Sequence, residues 1–556
     1  MLIDILLTIL SAIMLIAAFP PIGIDFLTWV GMAPFFFALD GKGRKSGFLL
    51  GLLWGFVFFL GTVYWVVNSM ANYGGIPIFT SILILLLLVS YLSLFPGVFG
   101  FFASKISSGE TGLFLKIFFV SSFWVSLEYL RTNMITVGFP WVLLGYSQSP
   151  FLPLIQISDI TGVYGVSFLI VMVNMFVFSA LSHWFRKNKA LEMSSRWKWR
   201  AGSLPIKEGL FIFTVLIVVL LYGFFRIYQT DTASKNWKPL KIVIAQGNID
   251  QGKKWDAAFQ RETVDIYKNL SLAAAKNKAD LIVWPETAAP FYLQSDKNLG
   301  PEIFNVPKEA NAYLFTGSPA YGLGSGGEAA YYNSAFLISP KGEIVEKYDK
   351  IHLVPFGEYV PLKKYLPFIH KLVVGVGDFT PGKWLKPLEF DSNSFGVLIC
   401  FESIFPELAR GFIQEGAGFL INITNDAWFG KTSAPYQHFS QAAFRAVENK
   451  VFLVRAANTG ISGVIDPVGR VQAKGGIFTT ESMVEDIKVK KDRAITFYAQ
   501  YGDVFAIGCM LLSVGCWLFV LKKSLKPKGL SYKKSVAQGF SLEGKGKLCS
   551  TKFRKD

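Results

Sequence analysis

Apolar and polar positions divide this chain into three blocks. From the N-terminus to about residue 228, and again at 503–521, the pattern is one of long apolar runs with few charges. Eight runs approach the ~20 residues that cross a bilayer core of ~30 Å. They lie at about 4–20, 24–40, 46–69, 78–102, 113–131, 160–183, 208–228 and 503–521. The first two are short and broken by Pro20-Pro21. The first begins with Asp4 and no lysine or arginine, and Phe19-Pro20-Pro21 makes a poor cleavage site, so it is expected to stay as a span.

Between spans seven and eight, residues 229–502 read as α/β. Short apolar strand candidates lie at 241–246, 281–284, 312–317, 334–338, 396–400, 419–424, 451–456 and 462–466, with helical patterns at 256–279, 404–415 and 434–449. Continuous runs such as 396–399 and 419–423 suit strands covered on both faces. The expected organisation is a seven-span membrane domain at 1–228, a catalytic domain at 229–502, an eighth span at 503–521 and a basic tail at 522–556.

Composition agrees. The 556 residues are 52% hydrophobic and only 17% charged, where a soluble domain carries about 25%. A net charge of +16 would suit nucleic acid, but its placement excludes that reading. The basic residues follow even-numbered spans: Lys42-Gly43-Arg44-Lys45, then Lys105 and Lys116, then seven from Arg186 to Lys207, then eleven beyond Leu521. Loops 70–77 and 132–159 have none. The positive-inside rule then puts both termini in the cytoplasm and 229–502 on the far side of an inner membrane. The four cysteines form no disulfide framework, and no Cys/His pair has metal-ligand spacing, so neither a metal nor a cofactor is expected.

Three polar stretches end strand candidates, where open α/β sheets place their sites. Glu286 follows an apolar run and Pro285, a sheltered place for a general base. Lys350 and Glu358 share a loop rich in aromatics, glycine and proline, where a lysine could stabilise an oxyanion and a carboxylate could orient it. Cys400, with Glu402 two residues on, is the only cysteine of the polar block. A thiol beside an ammonium is expected to have a lowered pKa and to form acyl thioesters. Base, cation and nucleophile make a set for acyl transfer. Nothing in the sequence marks His438 or Asn449 as partners of Cys400.

These motifs resemble those of the apolipoprotein N-acyltransferase family, a membrane-integrated branch of the nitrilase (carbon–nitrogen hydrolase) superfamily. The resemblance rests on Trp284-Pro285-Glu286-Thr287-Ala288, Lys350, Pro355-Phe356-Gly357-Glu358-Tyr359-Val360-Pro361, Cys400-Phe401-Glu402 and Asn425-Asp426-Ala427-Trp428-Phe429-Gly430. It implies a multi-span α-helical membrane domain carrying an extracytoplasmic αββα sandwich. It implies Glu286 as base, Lys350 as oxyanion stabiliser and Cys400 as nucleophile, with Glu358 and Glu402 supporting. Trp255 would contact lipid substrate, as would Phe401 and Trp428. Phe401 stands where the family commonly has tyrosine, so an aromatic wall is kept and a hydroxyl lost. The implied partners are a membrane phospholipid as acyl donor, a diacylglyceryl lipoprotein as acceptor, and the bilayer; nothing demands a second subunit. A water-using amidase would need one tether rather than eight spans. A transporter would need ionisable groups deep in the bundle, where Glu128 and Arg131 are the main candidates, near an edge. The apolar stretches 289–293 and 365–374 could form a lid on the bilayer surface.

The orientation is testable by cysteine labelling in intact cells. A cysteine placed within 70–77 should react with an impermeant maleimide, and one within 42–45 only after lysis; the reverse would invert the topology.

Overall fold

In the first block the apolar runs suit a bilayer core, where no water pairs backbone N–H and C=O groups, so helices are the outcome. The computed structural model describes residues 1–107, 112–133, 138–187, 205–276, 278–324, 327–359, 378–491 and 494–525. Among the described residues, five helices are long and apolar enough to cross a membrane: Arg44–Val63, Ile78–Ser104, Leu113–Asn133, Val163–Phe185 and Ile206–Ser234. The other three expected spans correspond to shorter apolar helices, Leu2–Ala18, Asp25–Leu39 and Val504–Leu518. The candidate lid at 365–374 and the tail at 526–556 lie outside the described residues.

Lipid gives helices no hydrophobic reason to associate, so close packing and polar contacts must hold them. Helix Arg44–Val63 carries Gly47, Gly51 and Gly55 on one face. A Cβ added at Gly51 would lie 2.1 Å from the Pro96 carbonyl oxygen, and one at Gly47 would lie 2.4 Å from that of Gly100. The two backbones therefore touch. Asn174 ties a third helix in: its Oδ1 accepts from the Met32 and Ala33 N–H groups, and its Nδ2 donates to the Thr28 and Ile170 carbonyls. Glu128 and Arg131 are both buried and used structurally. Glu128 accepts from the Trp124 indole at 3.0 Å and the Leu144 N–H at 2.8 Å, while Arg131 donates to the Trp141 carbonyl at 2.9 Å. They shape the loop under the catalytic domain.

That domain contains β1 (Lys238–Gln246), β2 (Leu281–Val283), β3 (Tyr313–Leu323), β4 (Ala329–Ile338), β5 (Ile344–Asp349), β6 (Leu388–Phe390), β7 (Asn393–Ile399), β8 (Phe419–Thr424), β9 (Leu453–Ala457), β10 (Gly463–Ile465), β11 (Val471–Lys474) and β12 (Glu481–Val489). They form two six-stranded sheets, ordered β12-β1-β2-β3-β4-β5 and β11-β10-β9-β8-β7-β6. The centres, β1-β2-β3 and β7-β8-β9, are parallel, and the outer pairings antiparallel. All eight strand candidates are present. The sheets meet through Phe315 and Phe395, whose rings are 5.2 Å apart. Helices Ala257–Ala275 and Gly300–Ala310 belong to the first half and Pro406–Gln414 and Ala434–Asn449 to the second, giving an αββα sandwich.

Residues 1–513 form one compact unit, and polar contacts seat the sandwich on the membrane helices. The Trp428 carbonyl accepts from Asn68 and Ser69, both at 2.9 Å. Trp141 donates to Gln437 at 2.6 Å, and Arg445 donates to the Tyr146 hydroxyl at 3.2 Å. Gly51→Ala is expected to force the helix crossing apart and cost about 1–3 kcal/mol as overpacking. Gly508→Ala, where nothing lies within 4 Å, should be neutral. Equal melting temperatures for the two variants in detergent would contradict this packing.

Candidate active site

Strand ends deliver Glu286, Lys350 and Cys400. Glu286 follows β2 by three residues, Lys350 follows β5 directly, and Cys400 follows β7 directly. The chain turns sharply at Thr287, which has φ +51°. Gly317 on the neighbouring strand makes room for the turn, since a Cβ there would lie 2.5 Å from the Thr287 nitrogen.

The Lys350 ammonium is only 1% exposed. A charge buried to that degree must be paired. It lies 3.0 Å from Glu358 Oε1 and 3.7 Å from Glu286 Oε1. Asn333, in the middle of β4, bridges the carboxylates by donating from Nδ2 to Glu286 at 2.8 Å and to Glu358 at 2.7 Å. The second oxygen of each is fixed by backbone: Asn425 N–H donates to Glu286 at 3.0 Å, and Val354 N–H to Glu358 at 2.7 Å. Burial pushes the lysine pKa down, but Glu358 and Glu286 more than offset it and hold the group well above its usual value. Lys350 is charged throughout the physiological range.

Cys400 opens a 3-10 turn with φ +52°. A non-glycine residue in this region costs about 1–3 kcal/mol and is held there by its surroundings. Glu402 supplies part of the hold. It is completely buried and accepts Ile399 N–H at 2.7 Å on one oxygen. The other oxygen takes the Tyr348 hydroxyl at 2.9 Å and the Ile351 and His352 N–H groups at 2.8 and 3.0 Å. It thus ties the thiol's turn to the segment after Lys350. Burial raises its pKa to about 7, against the pull of Lys350 and these N–H groups. For Cys400 the expectation of a lowered pKa is reversed: burial first, then Glu286, push the thiol up to about 12, with Lys350 opposing. The resting group is a neutral thiol.

Of the remaining predicted residues, Phe401 lines a cleft of about 490 Å³ with His352 and Phe405, and Thr132, Asn133 and Gly138 of the membrane domain line it too. His352 stacks on Phe405 at 3.9 Å. Trp255 is half-buried, its indole nitrogen buried with no hydrogen-bond partner among the described residues. Trp428 lies at the docking seam, its ring 5.7 Å from Tyr73.

Sequence reasoning missed Asn333, Lys254 and the surroundings of His438. Lys254, 1% exposed, donates to the Glu286 carbonyl at 3.0 Å. Burial lowers its pKa to about 8, against Glu286 and Cys400. A lone asparagine inside an apolar strand was the available signal for Asn333. For Lys254, paired with Lys253 in a polar loop, there was none.

Both halves of the chain are similar to known proteins. Residues 11–176 match the model of the apolipoprotein N-acyltransferase N-terminal domain, and 241–495 that of carbon-nitrogen hydrolase. Among solved structures, a nitrilase-superfamily amidase from Nesterenkonia AN1 covers 47% of this chain and 93% of its own, at 20% identity and a TM-score of 0.34. The apolipoprotein N-acyltransferase of Methylococcus capsulatus is 31% identical over 518 residues, 92% of this chain and 95% of that protein. That of Geobacter metallireducens is 43% identical over 508 residues, 91% of this chain and 93% of its own. With both halves matched and identity at this level across nearly the whole length, the chain belongs to the apolipoprotein N-acyltransferase family.

Proposed function

We propose that Cys400 is the nucleophile, Glu286 the general base and Lys350 the oxyanion stabiliser of an acyl transfer from a membrane phospholipid to the N-terminal amine of a diacylglyceryl-cysteine lipoprotein. The observation that carries this reading is the buried Glu286–Lys350–Glu358 cluster coupled to a strained, neutral Cys400 thiol. The protein is an inner-membrane N-acyltransferase. The charge pattern supports cytoplasmic termini and a periplasmic sandwich, and a monomer suffices for the site.

The thiol is neutral at rest, so its proton leaves during attack rather than before it. Glu286 takes the proton as sulfur bonds to the ester carbon. Lys350 faces the negative charge that develops on the carbonyl oxygen. The carbon–oxygen bond breaks, Glu286 returns the proton to the leaving alkoxide, and a lysophospholipid departs. In the second half the acceptor amine adds to the thioester carbon, Glu286 removes its proton, and the carbon–sulfur bond breaks. The thiolate recovers a proton as the N-acyl product leaves. This is ping-pong transfer through an acyl-enzyme. Glu358 and Asn333 keep Lys350 and Glu286 aligned between the halves, and Glu402 fixes the nucleophile's turn. The cleft beside Phe401, lined by Leu353, Pro355 and Phe405 as well as by Asn133 and Glu407, is proposed to take an acyl chain. Trp255 and Trp428 are proposed as further lipid contacts, Trp255 near the base through its neighbour Lys254, Trp428 at the membrane seam. Segment 289–293, expected as part of a lid on the bilayer, instead packs into the core of the sandwich, where Ala289, Phe291 and Leu293 are buried.

With radiolabelled phospholipid, wild type should retain a label sensitive to hydroxylamine. Cys400→Ala should retain none, and Lys350→Ala should lose roughly 100-fold or more in labelling rate with the fold intact. Label on the alanine variant, or a wild-type rate without the lysine, would refute the assignment. The raised thiol pKa makes a second prediction. The thiolate fraction grows with pH up to the pKa, so iodoacetamide alkylation of Cys400 should keep rising through pH 10. A plateau near pH 8 would contradict a neutral resting thiol.

A further inference from the structure

His438 is buried, lies 38 positions along the chain from Cys400, and has no part in the mechanism above. Its Nε2 lies 3.2 Å from the Cys400 carbonyl oxygen and 2.8 Å from Ser403 Oγ. Ser403 Oγ itself donates to the same carbonyl at 3.1 Å, and Asn422 Nδ2 approaches it at 3.5 Å. On the other side, His438 Nδ1 lies 2.9 Å from Arg455 Nη2 and 3.1 Å from Asp426 Oδ1. A guanidinium N–H can only donate and a carbonyl can only accept. The Cys400 carbonyl therefore assigns an N–H to Nε2, while Nδ1 has a donor, Arg455, and an acceptor, Asp426, beside it. Burial first, then Arg455, keep the ring pKa below its usual value, in line with a neutral imidazole.

The carbonyl of Cys400 and the N–H of Phe401 belong to one peptide group. In a trans peptide they point in opposite directions. The three groups on the carbonyl are all fully buried, so they draw it into the interior of the sandwich. The Phe401 N–H is thereby turned the other way, out of this buried cluster. We infer that His438 is a positioning residue which, through Ser403 and the Cys400 carbonyl, sets the Cys400–Phe401 peptide so that the Phe401 N–H faces the oxyanion formed on Cys400. This rests on Cys400 being the nucleophile. It also joins the site to the membrane domain, because Trp141 packs on the His438 ring at 5.6 Å while hydrogen-bonding to the adjacent Gln437.

Two reactions of the same thiol separate this role from a merely structural one. Acylation by a p-nitrophenyl ester develops an oxyanion; displacement on iodoacetamide does not. In the full chain in detergent, His438→Phe should slow the p-nitrophenol burst roughly ten-fold or more and change alkylation by less than about two-fold. His438→Gln, which restores an N–H donor, should recover a several-fold part of the burst rate. Ser403→Ala should show the same split if His438→Phe fails to fold. An unchanged burst, equal losses in both reactions, or a glutamine variant no better than phenylalanine would overturn the inference. Wild type that forms the burst but takes no acyl group from phospholipid would count against the proposed substrate alone.

Discussion

A charged lysine with no water is the constraint around which the catalytic half is built. Leaving the Lys350 ammonium unpaired at its depth would cost several kcal/mol even after relaxation. Two carboxylates from different loops must therefore converge on it, and both must be held without solvent. Asn333 meets that need by donating to both, and two backbone N–H groups take the remaining oxygens. The result is rigid before substrate arrives. Electrostatic stabilisation of a transition state needs such preorganisation. The same burial raises the Cys400 pKa, so in the proposed mechanism the thiol reacts only when an ester carbon and Glu286 are both in reach. A free thiolate is open to oxidation; a buried neutral thiol is far less so.

The membrane helices do more than anchor this site. Glu128 and Arg131, the ionisable groups that might have lined a transport path, instead brace the loop carrying Trp141 and Leu144. Trp141 then meets Gln437 and His438 on the helix beneath Cys400. Asp159 gathers Tyr222 and Arg226 from a membrane helix, with Lys450 of the sandwich 3.8 Å away. The cleft beside Phe401 has walls from both halves. In the proposed function, a lipid substrate would enter where the sandwich and the bundle share a surface.

Much of this was legible in the sequence because strand ends announce themselves. Apolar runs stop at 283 and 399, and the next polar groups are the ones that matter. What escaped had a physical reason in each case. β5, β6, β11 and β12 are short or polar strands at or next to sheet edges, half exposed and so without a continuous apolar run. β12 pairs with β1 across more than two hundred residues, a contact no local pattern carries. His438 was visible, but its partners Cys400, Asp426 and Arg455 come from three other segments. The expected low thiol pKa failed because proximity to lysine was weighed without the burial that accompanies it.

The central claim is that one buried thiol carries the acyl group between two lipids. The most direct test is a single turnover followed by peptide mass mapping. Wild-type protein mixed with phospholipid alone should gain one acyl mass on the peptide containing Cys400. Adding a diacylglyceryl peptide with a free amine should discharge it as N-acyl product, while the same peptide N-acetylated should leave it in place. An acyl group found elsewhere, or product formed with no adduct at Cys400 at any time in the turnover, would contradict the account.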